Sequence, residues 1–337
     1  MSGRALVFSH PEIVQLASTA FVPYAGDQWY LHRQQDEAGR FFWQVAQQGH
    51  NRHRPLDETR QGIYFAAADG HLFGSINSRS AERTLALMKS ALEQFRARQA
   101  PAVAIAERAA DDPTYARRPP EGGLIVRTFT RIPLPRPEGE SWRPNDALGR
   151  DHMWLTRAEW RSLLPAEWRA GHTYPVPPAV AYRIARFHLT DNVRGEPPMW
   201  TREQVKSLAM TLTVADPAAG RLALQGTVRL AAPADGWGSE RGFDARLQGI
   251  VAVDRAQERI VRFDLLAWGE FWGEGRYTRG APPGRFPLLI AFQLAPDRPM
   301  HRVPPQGSRG LREYFATAES EERRVGKECR SRWSPYH

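Results

Sequence analysis

The sequence predicts an α+β protein in two parts: an α/β unit over residues 1–99 and an antiparallel β meander over residues 151–319, curled into a half-barrel or a sandwich. Three observations carry this. As far as Arg98, segments with apolar residues at helical spacing alternate with short apolar runs. From Tyr182 onward, long segments alternate apolar and polar residues and end in turn residues. Between them, residues 100–150 are rich in Pro, Ala and Arg, a linker composition with one strand inside it. The length, 337 residues, agrees with two domains at about 150 residues each.

In the first part, Ser9-His10-Pro11-Glu12 opens a helix with Pro11 at its first position and Ile13, Val14, Leu16 and Ala17 as its apolar face. Phe21 to Ala25 reads as a short strand ended by Gly26-Asp27. Asp36 is the expected cap of a second helix, with Phe41, Phe42, Val45 and Ala46 inward and Gly49 as its stop. Gly62 to Ala67 is a strand, Ala68-Asp69-Gly70 a hairpin turn, and His71 to Ile76 the returning strand. Ser80 caps a long amphipathic helix reaching about Arg98, with Leu85, Met88, Leu92 and Phe95 on one face.

Two proline-rich linkers, Ala100 to Pro120 and Pro133 to Asp146, flank the strand Leu124–Phe129. Thr156-Arg157-Ala158-Glu159 has the form of a capping box opening a helix that stops before Pro165. Six strands are expected beyond it: Tyr182–Thr190, Leu208–Val214, Arg221–Ala231, Arg241–Asp254, Glu258–Trp268 and Leu288–Leu294. Gly226, Gly249 and Gly269 fall inside strands, where glycine commonly marks a bulge or a strong bend.

Phe8-Ser9-His10-Pro11-Glu12-Ile13-Val14, then Phe21-Val22-Pro23, then Gln61-Gly62-Ile63-Tyr64-Phe65 through Asp69-Gly70 together resemble the thioredoxin-like fold over residues 6–97. The resemblance implies the strand pair, turn and helix of that fold's second half. It departs from the family at two places: no C-x-x-C is present, and Gln61 stands at the position of the family's cis-proline. Thiol chemistry needs a thiolate of lowered pKa, so the resemblance implies a redox-inactive docking scaffold. In the family the second motif cysteine would fall just before Met1, and residues 1–5 are too few for the strand that precedes it. The true start is therefore expected upstream, where an export signal would also lie. At the other end, Ser320 to His337 resembles a one-frame translation of a short-read sequencing adapter and is excluded from fold reasoning.

Without that tail the chain has 41 basic and 34 acidic residues, net +7, and it loses its single cysteine, Cys329. Disulfides, thiolate metal sites and cysteine nucleophiles are excluded for residues 1–319. Only three of all the basic residues are lysines, and the arginines are spread along the chain among acids instead of being gathered on one face. That pattern speaks against nucleic-acid binding. No apolar run reaches the length of a membrane span, and compartment stays undetermined. G-x-S-x-G, P-loop and dinucleotide motifs are missing.

What remains is modest. Arg60 and Gln61 occupy the loop where thioredoxin-like folds approach their ligands and are the candidate binding residues. His50 and His53 form an H-x-x-H that lacks spaced partners for a metal. Asp264, Glu270 and Glu274 beside Trp268, Phe271 and Trp272 would make a glycosidase-type acid pair if they shared a cleft. Arg241 and Asp244 with Glu270 are expected to form cross-strand ion pairs. The leading functional reading is a non-enzymatic binding or interaction protein, with an unknown protein or a small apolar ligand as partner and no cofactor. The alternatives are a thiol-disulfide oxidoreductase with its C-x-x-C upstream, and a hydrolase using the acid–aromatic run. An insulin-reduction assay on the purified chain is expected to stay at background. Turnover persisting after Cys329→Ser would contradict the redox-inactive reading.

Overall fold

A computed structural model describes residues 7–98, 118–135, 144–236 and 238–315. The linker residues 100–117 and 136–143 and the adapter-like segment 320–337 lie outside the described residues. The protein is α+β, with an eight-stranded antiparallel sheet, and it divides into two compact units, residues 2–117 and residues 118–337.

The first unit runs α1 (Pro11–Ala20), α2 (Gln28–Leu31), α3 (Glu37–Ala46), β1 (Ile63–Ala66), β2 (Leu72–Ile76) and α4 (Ala81–Ala97). Its caps follow from the sequence: Asp36 accepts from the Gly39 amide at 3.0 Å and Ser80 from the Arg83 amide at 3.1 Å. β1 and β2 form the expected hairpin, with Gly70 at φ 81° in its turn, where a left-handed backbone favours glycine. Ile13, Phe65, Met88 and Ala91 form the small core. Residues 21–25 are extended chain without a strand partner among the described residues. Pro23 has no N–H for a ladder, and Val22 and Tyr24 are almost fully exposed, so only Phe21 anchors this stretch, against Phe65.

The second unit is built on one sheet of order β4-β3-β10-β9-β8-β7-β6-β5, every neighbouring pair antiparallel. Its strands are β3 (Leu124–Arg131), β4 (Gly149–Leu155), β5 (Thr173–Pro175), β6 (Val205–Asp216), β7 (Arg221–Ala232), β8 (Arg241–Asp254), β9 (Arg259–Trp272) and β10 (Arg285–Leu294). The meander β6–β10 comes directly from the alternation: Leu222 and Leu224, Leu247 and Val251, Phe263 and Leu265, and Ile290 and Phe292 all face one core. All eight strands share this single sheet, so the sandwich alternative is not adopted. The expected lone linker strand is β3, an internal strand between β10 and β4, because Val126, Thr128 and Thr130 continue the buried face. The Pro-flanked region 118–150 thus supplies one strand of the sheet and the first two residues of a second, β4.

Residues 182–190, expected as a strand, are helical: α6 (Pro178–Arg183) runs into a π-turn, Ile184–His188, closed by the Leu189 amide on the Ile184 carbonyl at 3.0 Å. Nearly every residue from Val180 to Arg194 is buried. A segment covered on all sides carries apolar residues at both spacings, and alternation loses its meaning there. The glycines of the long strands also differ from expectation. The ladders pass unbroken through Gly249 and Gly269, and the register shifts lie elsewhere, as at Ala252/Val253. A Cβ at Gly249 would come within 2.3 Å of the Asp264 carbonyl oxygen, so glycine here permits close strand approach.

β4 is an edge strand, and the outward backbone groups of Trp154 are capped by side chains. The Trp154 amide donates to Tyr314 Oη at 3.0 Å, and Arg183 Nη1 donates to the Trp154 carbonyl at 2.9 Å. Arg183 is held in turn by Glu159 at 2.5 Å, the same carboxylate that closes the Thr156–Glu159 capping box of α5 (Arg157–Arg161). Replacing Glu159 with Ala leaves a buried guanidinium unpaired, at an expected cost of about 3–5 kcal/mol. Thr156→Ala, which removes only the cap, should cost about 1 kcal/mol. Urea unfolding of both variants checks the ordering, and equal losses would contradict it.

Candidate functional site

Arg60 is buried in the first unit, and its guanidinium donates to the Asn51 carbonyl and, at 2.7 Å, to the Arg54 carbonyl. It also lies over the Trp43 ring at 5.3 Å. The chain needs this anchor because the turn-rich segment from Asn51 to Glu58 has few apolar residues to hold it. Gln61 is exposed, and its carbonyl accepts from His50 Nε2 and Asn51 Nδ2, both at 3.2 Å. Of the two candidate binding residues, then, Arg60 points its donors at its own loop and the Gln61 side chain faces solvent. His50 also binds Ser75 Oγ through Nδ1 at 2.9 Å, while His53 is exposed, so the two histidines of the H-x-x-H do not converge.

The acid–aromatic run does not gather into one cleft. Asp264 and Glu270 share the solvent face of β9 but stand six residues apart, about 20 Å along a strand, too far for a glycosidase pair. Each acid has its own cation: Asp264 pairs with Arg262 at 2.5 Å, Glu270 with Arg285 at 3.4 Å and Glu274 with Arg279 at 3.6 Å. The cross-strand ion pair expected of Arg241 with Glu270 does not form; a different cation, Arg285, reaches both Asp244 (2.8 Å) and Glu270. Arg241 lies instead over the Trp200 ring at 3.8 Å.

The solvent face of the sheet carries the feature that the sequence did not expose. Cross-strand register aligns Ala223, Ile250, Asp264 and Gln293 in one row, and Gln225, Gln248, Leu266, Ala291 and Phe129 in the next. These side chains line a groove of about 730 Å³ that crosses β7, β8, β9, β10 and β3. Small residues at Ala223, Gly249 and Ala291 leave room, and Ile250, Leu266 and Phe129 give it apolar walls. The three glutamines place amide donors and acceptors along it. Leu266 is 40% exposed in a position where a sheet face would ordinarily carry a polar residue. The chemistry offered is apolar contact with a few hydrogen bonds and no nucleophile or acid–base pair, which suits binding.

A second constellation lies on the buried face. His188 Nε2 is 2.8 Å from Tyr314 Oη, and its Nδ1 faces Asp151 Oδ2 at 3.7 Å. Asp151 Oδ1 accepts from the Gln306 amide at 2.9 Å. Full burial, aided by the Arg183 charge, holds the imidazole neutral and lowers its pKa to about 3; the Asp151 carboxylate opposes this, but no hydrogen bond joins the two. Neither His188 nor Tyr314 reaches solvent, so the trio ties the π-turn to β4 and does not meet a substrate. In the sequence His188 is one of several isolated histidines, and nothing local marks it.

No family model, no curated protein and no solved structure matches the chain.

His188 makes stability pH-dependent. The unfolded chain takes up its proton below about pH 6.5 and the folded chain does not, so stability is present above that pH and falls as pH drops toward the folded value near 3. By pH 4.5 this group alone should cost roughly 2–3 kcal/mol. Denaturant titrations at pH 7 and pH 4.5 should show the loss shrinking by about that amount in His188→Gln; an unchanged pH slope in the variant would contradict the assignment.

Proposed function

We propose that the chain is a non-enzymatic binding protein, in which the sheet of residues 118–315 takes a small apolar ligand on its open face and residues 1–99 form a redox-inactive, thioredoxin-like scaffold. The groove across β7–β10 and β3 carries this reading. Its lining belongs to strands held in register by backbone ladders, so the site is preformed and loses little entropy on binding. The scaffold half of the reading is supported by the β1–β2 hairpin followed by α4, and by the lack of any cysteine before Cys329. The dispersal of Asp264, Glu270 and Glu274 among separate ion pairs favours binding over hydrolysis.

A neutral, environment-sensitive probe tests it. N-Phenyl-1-naphthylamine should bind the full chain saturably with enhanced fluorescence. Ala291→Trp, which fills the middle of the groove on a partly exposed position, should weaken that binding at least about tenfold with little change in melting temperature. Binding that is undiminished in Ala291→Trp, or no binding to the wild type, would contradict the proposal.

A further inference from the structure

Beyond its apolar walls, the groove has one end of distinct character. On the solvent face β3 alternates Arg127, Phe129 and Arg131, and β4 places Arg150 and His152 opposite Phe129 and Arg127 respectively. Phe129 lines the groove. It is therefore flanked by two arginines on its own strand and faced by a third on the next. The Arg127 guanidinium lies 5.5 Å from the Phe129 ring centre and donates to Gln293 Oε1, another lining residue. Its Nε is buried and has no hydrogen-bond partner among the described residues. Among the described residues, none of Arg127, Arg131 and Arg150 forms an ion pair; elsewhere on the solvent face Arg229, Arg262 and Arg285 do and the separate Arg221 and Arg246 do not, so what marks this end is three unpaired guanidiniums gathered around one ring. His152 Nε2 and His301 Nδ1 stand 3.5 Å apart beside them. Burial, each other's proximity and the Arg127 charge hold His152 down to about 4, and burial with Arg127 and Arg298 lowers His301. Both rings thus lie in the positive field of neighbouring arginines. The one carboxylate lining the groove, Asp264, is already paired with Arg262.

Resting on the binding reading above, we propose that the groove's ligand is an apolar carboxylate: its hydrocarbon body lies across β8–β10 and its anionic head sits at the β3–β4 end, held by Arg127 and Arg150 beside Phe129. The span from β7 to β3 is about 19 Å at ordinary strand spacing, room for an extended acyl chain. Guanidinium forks match a carboxylate in geometry as well as charge. The site sits on a partly exposed sheet face, where desolvating the head is inexpensive compared with a buried site.

The experiment is displacement of N-phenyl-1-naphthylamine from the full chain by dodecanoate and by dodecanol, which share a chain and differ in the head. Dodecanoate should displace the probe at a concentration at least about tenfold lower. In the Arg127→Gln/Arg150→Gln double variant that ratio should fall to about twofold or less, with dodecanol as the internal control. Arg221→Gln, at the opposite end of the groove, should keep the ratio. Equal displacement by the two compounds, a ratio that survives the double substitution, or a ratio lost in Arg221→Gln would each overturn the assignment of the head while leaving the groove reading intact. Failure of the probe itself to bind overturns both. Displacement of the probe by a single-stranded oligonucleotide more readily than by dodecanoate would also overturn it, and would assign the arginines to phosphate.

Discussion

The guanidinium of Arg183 is buried, and an ion of that size costs several kcal/mol to take out of water unless it is fully matched. Here it is matched on every side. The Glu159 carboxylate takes two of its donors, the Trp154 carbonyl takes one, and its plane lies over the Tyr314 ring at 4.4 Å. Each partner comes from a different element: α5, β4 and the short helix Leu311–Tyr314. The edge strand, the capping box and the chain's return over β4 therefore hold one another in place. A charge in this position penalises any arrangement that separates it from these partners, since an unpaired buried guanidinium costs several kcal/mol.

That clasp governs which face of the sheet remains open. The chain leaves β4 at one edge and reaches β5 at the other through α5, and α6 and the π-turn follow β5, so the apolar face of the sheet lies beneath these helices. Trp160, Val180, Ile184, Leu189 and Trp200 join the same core as the strands. The opposite face stays uncovered among the described residues over β7, β8 and β9, and within its charged surroundings the strip lined by Ala223, Gln225, Gln248, Ile250, Leu266 and Ala291 carries small residues, glutamines and isolated apolar side chains. On that face Arg229, Arg262 and Arg285 are paired with acids, while Arg221, Arg246 and the arginines of β3 and β4 have no ion pair among the described residues. With one face buried under the helices, the other is left as an open platform with a groove across it, and the functional reading follows from that asymmetry.

Much of the architecture was legible in the sequence. The strands from Arg221 to Leu294 alternate over ten or more residues each, and such long runs leave little ambiguity. The caps at Asp36, Ser80 and Thr156 and the Asp69-Gly70 turn rest on local chemistry that acts within four residues. The failures share a different physics. Residues 182–190 are buried on all sides, so their apparent alternation had no face to report. Pro23 and its exposed neighbours could not pair, although their composition suited a strand. The groove was illegible for a further reason: its lining comes from six strands, and register between strands is set by tertiary contacts, so Leu266, Ala291 and Phe129 cannot be brought together from spacing alone. His188 and Tyr314 are 126 residues apart and carry no motif. Arg60 and Gln61 were singled out by analogy of position, and packing turned the first of them inward.

The central claim is that the open sheet face is a binding surface, and residue-level mapping tests it most directly. Methyl and amide NMR shifts of the full chain, followed during titration with N-phenyl-1-naphthylamine, should move for Ile250 and Leu266, for Ala223 and Ala291, and for the side-chain amides of Gln225, Gln248 and Gln293, with residues 63–76 unaffected. Saturable shifts confined to residues 7–98, or shifts on the core side of the sheet at Leu224 and Ile290 without those on the open face, would contradict the account.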